Sequence, residues 1–254
     1  MRCKICQSKL EYAFSEKVLG SYDAKYNKCK NCGFLSAKNP IWLSEAYTQP
    51  ITNSDTGLLE RNIILSKQVS VLINAFFLLD GTYLDYAGGY GVFTRLMRDI
   101  GFDFFHIDPY TTNLFSKEFE WDKNTKINGV TCFECVEHFE DPIRELKKIF
   151  SISKTIFIST DLLPNTIPKK DWNYYGFEHG QHISFYSDKT LNYIANYFGV
   201  FVVSVKNFHL FSPVKINSKK MKKLILKADK LPYPFAQKTL FKKVEKKMRK
   251  RRKN

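Results

Sequence analysis

An α/β fold with a parallel sheet and a small separate amino-terminal unit is predicted by three features of this 254-residue sequence. The stretch from Tyr83 to Asp108 reads as strand, glycine turn, helix and second strand. Strand-like runs at Ile127 to Cys135, Thr155 to Thr160 and Phe201 to Val205 then alternate with helical apolar spacing, the pattern of a sheet covered by helices. Two Cys-x-x-Cys pairs stand at the amino terminus, ahead of all of this. The hydrophobic fraction of 44% supports a real core, and the length suits one α/β domain with small appendages. The chain divides into residues 1–40, 41–80 (linker and helix), 81–216 (main domain) and 217–254 (basic tail).

The first unit places Cys3 and Cys6, then 22 residues, then Cys29, Cys32 and Gly33. Four thiolates at that spacing suit a tetrahedral Zn²⁺ ion. A segment of this size with so few core residues needs such a staple to fold. Four protein ligands leave no open position, so the ion is structural. In the linker, Trp42 and Tyr47 can pack the first unit onto the main domain; the alternative for Tyr47, a place near the bound ligands, comes only from the family resemblance given below. Leu58 to Phe77 reads as a helix with Leu59, Ile63, Val69, Leu72, Ile73 and Phe76 on one stripe.

In the central stretch, Tyr83 to Tyr86 is the strand, and Gly88, Gly89 and Gly91 form a turn where backbone approaches a ligand closely. Val92, Phe93, Leu96 and Ile100 give the helix, Gly101 ends it, and Phe102 to Ile107 is the next strand. Asp108 follows, 17 residues past Gly91, where a carboxylate can take a ribose diol. A dinucleotide fingerprint would want glycine where Thr94 stands. The segment resembles instead motif I of the class I S-adenosylmethionine-dependent methyltransferases, with Asp85, Gly89 and Gly91 in place and Ala87 for the first glycine, a replacement tolerated where its φ is negative. That resemblance implies a Rossmann-like, seven-stranded class I methyltransferase sheet. It also implies S-adenosylmethionine held by Asp85, Ala87, Gly88, Gly89, Gly91 and Asp108.

A third strand is expected between Tyr110 and Asn128, where periodicity is weak. The run FECVEHFEDP, residues 133–142, resembles the segment after strand four of the same family, and Glu134, Glu137, His138, Asp141 and Pro142 match it. The resemblance puts Glu134, Glu137 and His138 at the cofactor's rim, with acid–base catalysis by His138 the minor alternative. Asp141 and Pro142 suit the N-cap and first turn of a helix. Cys132 and Cys135, three apart on a strand pattern, face opposite sides and read as core thiols.

From Asp171 to Ser187 the chain concentrates Trp172, Tyr174, Tyr175, Phe177 and Tyr186 with Glu178, His179, Gln181 and His182. Aromatic and titratable groups at the binding edge of a sheet make a substrate pocket, here assigned to Tyr47, Trp172, Tyr174, Tyr175, Glu178 and His179. Ser187 caps the next helix, Lys189 to Phe198, closed by Gly199, and a final antiparallel strand falls within Asn207 to Ile216. The piece His182 to Ser187, HISFYS, resembles an element of zinc-ribbon methyltransferases that modify sugars. The resemblance makes His182 the general base. Carbon-methylating members carry an acidic residue where Gln181 stands, which leaves O-methylation of a sugar in a nucleotide-activated, lipid-linked or polymeric surface glycan as the favoured activity.

The formal net charge of +15 lies entirely in the tail, where residues 206–254 hold 18 Lys and Arg against Asp229 and Glu245. Met221, Leu224, Ile225 and Ala228 fall at helical spacing, so the tail reads as a basic amphipathic helix for an anionic membrane surface, with a merely solubilising end as its alternative. Nucleic acid ranks lower, because the ribbon lacks a basic aromatic stripe, so an RNA methyltransferase is the lesser rival, beside a non-catalytic binding scaffold. Neither a membrane span nor a secretory signal is read, so a cytoplasmic location, peripheral at the inner membrane face, is expected.

Overall fold

The structure is a computed structural model and describes residues 1–48 and 56–230. In the main domain the glycine-turn strand is β4 (Thr82–Tyr86), after the ribbon strands β1 (Leu10–Val18), β2 (Tyr22–Cys29) and β3 (Leu35–Ala37). Next come β5 (Asp103–Ile107), β6 (Gly129–Phe133), β7 (Ile156–Ser159), β8 (Ser184–Phe185), β9 (Phe201–Val205) and β10 (Phe208–Ser212). The main sheet has six strands in the order β5-β4-β6-β7-β10-β9. Strands β5, β4, β6 and β7 run parallel, and β10 is antiparallel to both β7 and β9.

Seven strands were expected. The missing one is the third, outside β5, where only a single parallel bridge joins His106 to Glu120. The segment carrying Glu120 has too little β-branched or alternating apolar sequence to extend that bridge into a ladder. Strand order reverses between β4 and β6, which opens a crevice at the carboxyl ends of both.

Helices cover the sheet on both faces: α2 (Leu58–Phe76), α3 (Val92–Ile100), α4 (Pro142–Ile152), α5 (Asp188–Phe198) and α6 (Ser218–Asp229), after a single turn α1 (Leu43–Ala46). Asp141 caps α4 by accepting from Arg144 N, and Ser187 caps α5 reciprocally with Thr190. Leu59, expected on the buried stripe of α2, is exposed, while Leu65, Val69, Leu72 and Ile73 are buried. Met221 and Ile225 of α6 pack with those residues in one core. The apolar stripe of this part of the tail is therefore buried inside the domain, and Lys219, Lys222, Lys223 and Lys227 face solvent. The second predicted tail segment, residues 231–254, lies outside the described residues.

The amino-terminal unit is an antiparallel β1-β2-β3 sheet whose fourth strand is β8 from the main domain, with Leu35 opposite Phe185 and Ser36 opposite Ser184. One sheet face buries Tyr26, Leu35 and Ala37 with Trp42, Tyr175, Ile183 and Phe185. Gly33 shows how close the two units are: a Cβ there would lie 2.2 Å from Ser187 Oγ. Thr190 Oγ1 donates to Cys32 O at 2.8 Å, so the cap of α5 also grips the ribbon.

Candidate active site

The crevice at the strand ends is a cavity of about 940 Å³. On one side it is lined by Asp85, Ala87, Gly88, Gly89 and Asp108, and on the other by Trp172, Tyr174, Glu178, His179 and His182. Seven of the nine expected cofactor residues, Glu134 and His138 included, thus share one cavity with most of the expected acceptor residues; Gly91, Glu137, Tyr47 and Tyr175 do not line it.

The cofactor wall is shaped by backbone as much as by side chains. Asp85 is buried and accepts from Thr94 Oγ1 at 3.0 Å and Thr131 Oγ1 at 2.9 Å. Burial pushes its carboxyl up to about 6. A Cβ on Gly88 would stand 2.4 Å from Asp85 Oδ2 and 2.7 Å from His106 Cδ2, so only glycine fits between them. Gly89 instead has φ 56 and would meet nothing within 4 Å, which leaves room for a ligand against its backbone. Asp108 Oδ2 accepts from Gly89 N at 2.9 Å, and Oδ1 from Tyr110 N and Thr111 N at 2.8 Å. These bonds tie the ends of β4 and β5 together and aim the carboxylate at the crevice mouth. Ala87 has φ 57, contrary to the negative value expected, so its methyl is held in the left-handed region that glycine adopts without strain. Gly91 begins α3 with φ 84.

The acceptor wall has three layers. Trp172 and Tyr174 line the cavity, their rings 5.3 Å apart. Tyr175, expected beside them, turns away into the ribbon core and is 1% exposed, because its ring stacks on Phe177 at 4.9 Å and packs against Phe14. Behind Tyr174, Thr160 Oγ1 lies 2.8 Å from the Tyr174 hydroxyl, which donates to Glu137 Oε1 at 2.8 Å. Glu137 is thus placed behind the acceptor wall instead of at the cofactor rim. It is fully buried, and burial, with the neighbouring charge of Glu134, pushes its carboxyl up to about 8. Glu134 itself, at φ 46, accepts from Ser159 Oγ at 2.6 Å.

Three imidazoles line the cavity, those of His138, His179 and His182. His182 Nδ1 lies 2.6 Å from Tyr174 O, and His138 Nδ1 lies 3.1 Å from Gln181 O. A carbonyl can only accept, so His182 Nδ1 carries the hydrogen and its Nε2 the lone pair, whereas His138 Nδ1 faces both Gln181 O and the Tyr47 hydroxyl, which can donate to it. Burial lowers His182 to about 3, with His138 adding to the effect, and lowers His138 to about 4. Tyr47, half exposed, has its hydroxyl 3.1 Å from His138 Nδ1, so it braces that ring. His179 Nδ1 accepts from Gln181 N at 3.1 Å, which makes this residue a loop brace on the cavity wall. Gln181 Nε2 donates to Ala46 O at 2.8 Å, holding α1 against the loop.

Arg61 and Asn62 of α2, and Asp161 and Asp171 after β7, also line the cavity and were not singled out in the sequence. Asp161 ends a strand on the binding edge, which was a usable signal. Arg61 had none, since a polar residue at the start of an amphipathic helix reads as its solvated face.

At the far end of the ribbon, Cys3 Sγ lies 3.5 Å from Cys32 Sγ, and Cys6 Sγ 3.4 Å from Cys29 Sγ. All four sulfurs lie within 4.8 Å of one another. Tetrahedral ligands at about 2.3 Å from a zinc ion stand roughly 3.8 Å apart, so the cluster fits one. Cys132 and Cys135 are both buried. The expected opposition of their side chains does not hold, because the chain leaves β6 at Phe133 and turns at Glu134, and hydrogen bonding to Cys132, then burial, raises the Cys135 thiol.

A mostly parallel sheet with a switch point and a glycine turn at its crevice defines an α/β fold of the kind that binds nucleotide cofactors. The family model described as "Methyltransferase domain" matches residues 63–205, more than half of the chain, and the chain belongs to that family. No curated protein matches it. Similar solved structures include a methyltransferase of calicheamicin biosynthesis in its SAH-bound form, at 13% identity and TM-score 0.45, covering 63% of this chain and 55% of that one. Another is magnesium protoporphyrin IX methyltransferase from Synechocystis PCC 6803 with bound SAM, at 12% identity and TM-score 0.39, covering 66% and 86%. A SAM-dependent methyltransferase from Thermotoga maritima is similar at 12% identity and TM-score 0.44, covering 69% and 97%. The chain spans about half, 55%, of the length of the first of these.

Proposed function

We propose that this chain transfers a methyl group from S-adenosylmethionine to a hydroxyl, that of a sugar in a nucleotide-activated, lipid-linked or polymeric glycan, with His182 as the base. The observation that carries this reading is the pair of facing walls: the Gly89 turn and Asp108 on one side, and the Nε2 lone pair of His182 on the other, in one cavity. When bound, S-adenosylmethionine supplies a sulfonium methyl; Asp85, Gly88, Gly89 and Asp108 would hold it. The acceptor hydroxyl gives its proton to His182 Nε2 as its oxygen takes the methyl, and the carbon–sulfur pair stays on sulfur. A volume of about 940 Å³ is at the upper end of ligand pockets, which suits two ligands side by side. Trp172 and Tyr174 give the flat faces on which a sugar ring stacks, and Arg61 a cation for a phosphate beyond it. Engagement of Gln181 with Ala46 supports oxygen over carbon as the acceptor atom, since no carboxylate stands before His182.

We assign Zn²⁺ to Cys3, Cys6, Cys29 and Cys32 as a structural ion. The tail's lysine face and the residues beyond it are proposed to meet an anionic membrane surface through charge, the stripe of α6 being occupied. Among the described residues no helix is long and apolar enough to cross a membrane.

The test is transfer of labelled methyl to a panel of nucleotide sugars and glycans, with S-adenosylhomocysteine titrated by calorimetry. Binding that is lost in Asp108→Ala, and transfer that is lost in His182→Ala while binding remains, is the expected result. Absence of binding to the native protein overturns the reading.

A further inference from the structure

Glu137 presents an unusual feature for a buried carboxylate. Its Oε1 accepts from Tyr174, but Oε2 is fully buried and has no hydrogen-bond partner among the described residues. An unmatched buried carboxylate oxygen is costly unless a donor or cation meets it. The two groups beside it are the imidazoles of His138 and His182, whose ring centroids lie 5.1 Å apart. Glu137, His138 and His182 each bring a ligand atom within 4.8 Å of the other two.

The donor set is also prepared for a cation. His182 donates Nδ1–H to Tyr174 O, which fixes the ring and leaves Nε2 unprotonated, and the His138 ring is held through Nδ1 by Gln181 O and the Tyr47 hydroxyl. That outer hydrogen bond is the usual support of a metal-ligating histidine. Glu137 is steadied in the same way by Tyr174 and, behind it, Thr160. Both histidines line the cavity, so an ion held by them would be within reach of a ligand there.

We propose that Glu137, His138 and His182 form a second metal site, distinct from the cysteine cluster, that takes a divalent transition ion and holds the acceptor's oxygen. Two imidazoles and one carboxylate suit Zn²⁺, Mn²⁺, Fe²⁺ or Co²⁺ better than Mg²⁺ or Ca²⁺, which prefer all-oxygen shells. The inference rests on the reading of this cavity as the acceptor site. With the ion in place, His182 Nε2 is a ligand and no longer the base. Bound there, the ion would supply Lewis-acid activation of an acceptor hydroxyl, whose proton would leave to water. The two roles of His182 are exclusive, and metal counting separates them.

The experiment measures metal content by elemental analysis after equilibration of the full chain with Zn²⁺, and the absorption spectrum after equilibration with Co²⁺. S-adenosylhomocysteine affinity is followed in parallel. The native protein is expected to hold two ions per chain, one in a thiolate environment and one in a nitrogen–oxygen environment. Glu137→Gln and, separately, His182→Gln should each retain only the thiolate ion, with unchanged S-adenosylhomocysteine affinity as the sign of an intact fold. One ion in the native protein overturns the inference, as does a second ion that survives both substitutions. Loss of S-adenosylhomocysteine binding in the native protein would instead sink the methyltransferase reading of the cavity, whatever the metal count.

Discussion

Ser36 of the amino-terminal ribbon is paired in antiparallel register with Ser184, two residues after His182. The adjacent bonds extend the link: Ala37 N donates to Ile183 O at 2.9 Å, and Ile183 N donates to Glu137 O at 3.0 Å. Ribbon, acceptor loop and the turn that carries Glu137 and His138 are therefore one hydrogen-bonded layer. Trp42 Nε1 adds a bond to Gly180 O at 2.8 Å, and Leu19 N one to Phe177 O at 2.9 Å. The cysteine cluster does not line the cavity, yet the unit that carries it pairs with the strand that follows His182.

Disrupting that cluster should separate cofactor binding from catalysis. In Cys32→Ser, or on treatment with a chelator, hydrogen exchange should rise across residues 172–186 while β4 and β6 remain protected. S-adenosylhomocysteine should still bind, and methyl transfer should fall by about 100-fold or more, the cost of a misplaced reacting group. Unchanged exchange in the loop would mean that the ribbon does not hold it.

Neighbouring glycines of the turn should fail in different ways. Gly88→Ala forces a methyl onto Asp85 and His106 and should destabilise the fold by about 1–3 kcal/mol, the range for overpacking. Gly89→Ala meets no protein atom and carries only a backbone cost of roughly 1 kcal/mol. Its methyl occupies ligand space, so cofactor affinity should drop further than stability. Denaturant unfolding and calorimetry on both variants make the comparison.

Ala87→Gly should leave the fold unchanged and raise its stability by up to about 1 kcal/mol. Relief of the left-handed alanine at φ 57 is partly offset by the greater freedom of glycine in the unfolded chain. A lower unfolding midpoint would show that the methyl makes packing contacts of greater value.

Asp85 should leave a signature in the pH dependence of stability. Its folded pKa, about 6, lies above the ordinary value of 3.8. The unfolded chain therefore releases this proton more readily. Its contribution to stability is full below the unfolded pKa and is lost as pH rises through about 6. Between about pH 5 and pH 7 the native protein should lose about 1 kcal/mol relative to Asp85→Asn, which has no such titration. Parallel difference curves for the two proteins would refute it.

Much of the strand–turn–helix–strand unit was legible because it is local. Asp85, Gly88, Gly89 and Asp108 lie within one strand–turn–helix–strand unit, and the spacing of that unit is set by helix and strand geometry. Caps at Asp141 and Ser187 and the helix stop at Gly199 were equally readable, since each depends on a few neighbouring residues. The third strand failed for a related reason: its residues lack the alternation that would have marked a ladder, and the fold keeps only the bridge at Glu120. The sign of φ at Ala87 is likewise set by the turn around it and not by alanine's own preference.

By itself the sequence determined the α/β alternation, the glycine turn with its carboxylate, the four clustered cysteines and the aromatic segment from Asp171 to Ser187. Those are patterns in neighbouring residues, so short-range geometry suffices. Only the tertiary structure decided that Tyr175 belongs to the ribbon core and Tyr174 to the cavity, and that Arg61 joins the site. It alone decided that the stripe of α6 is buried on α2, and that Glu137 meets His138 and His182 with an oxygen to spare. Each of those outcomes depends on which faces meet across elements distant in sequence. A helical or aromatic pattern states that a face must be buried, but the partner that buries it is set by the packing of the whole chain.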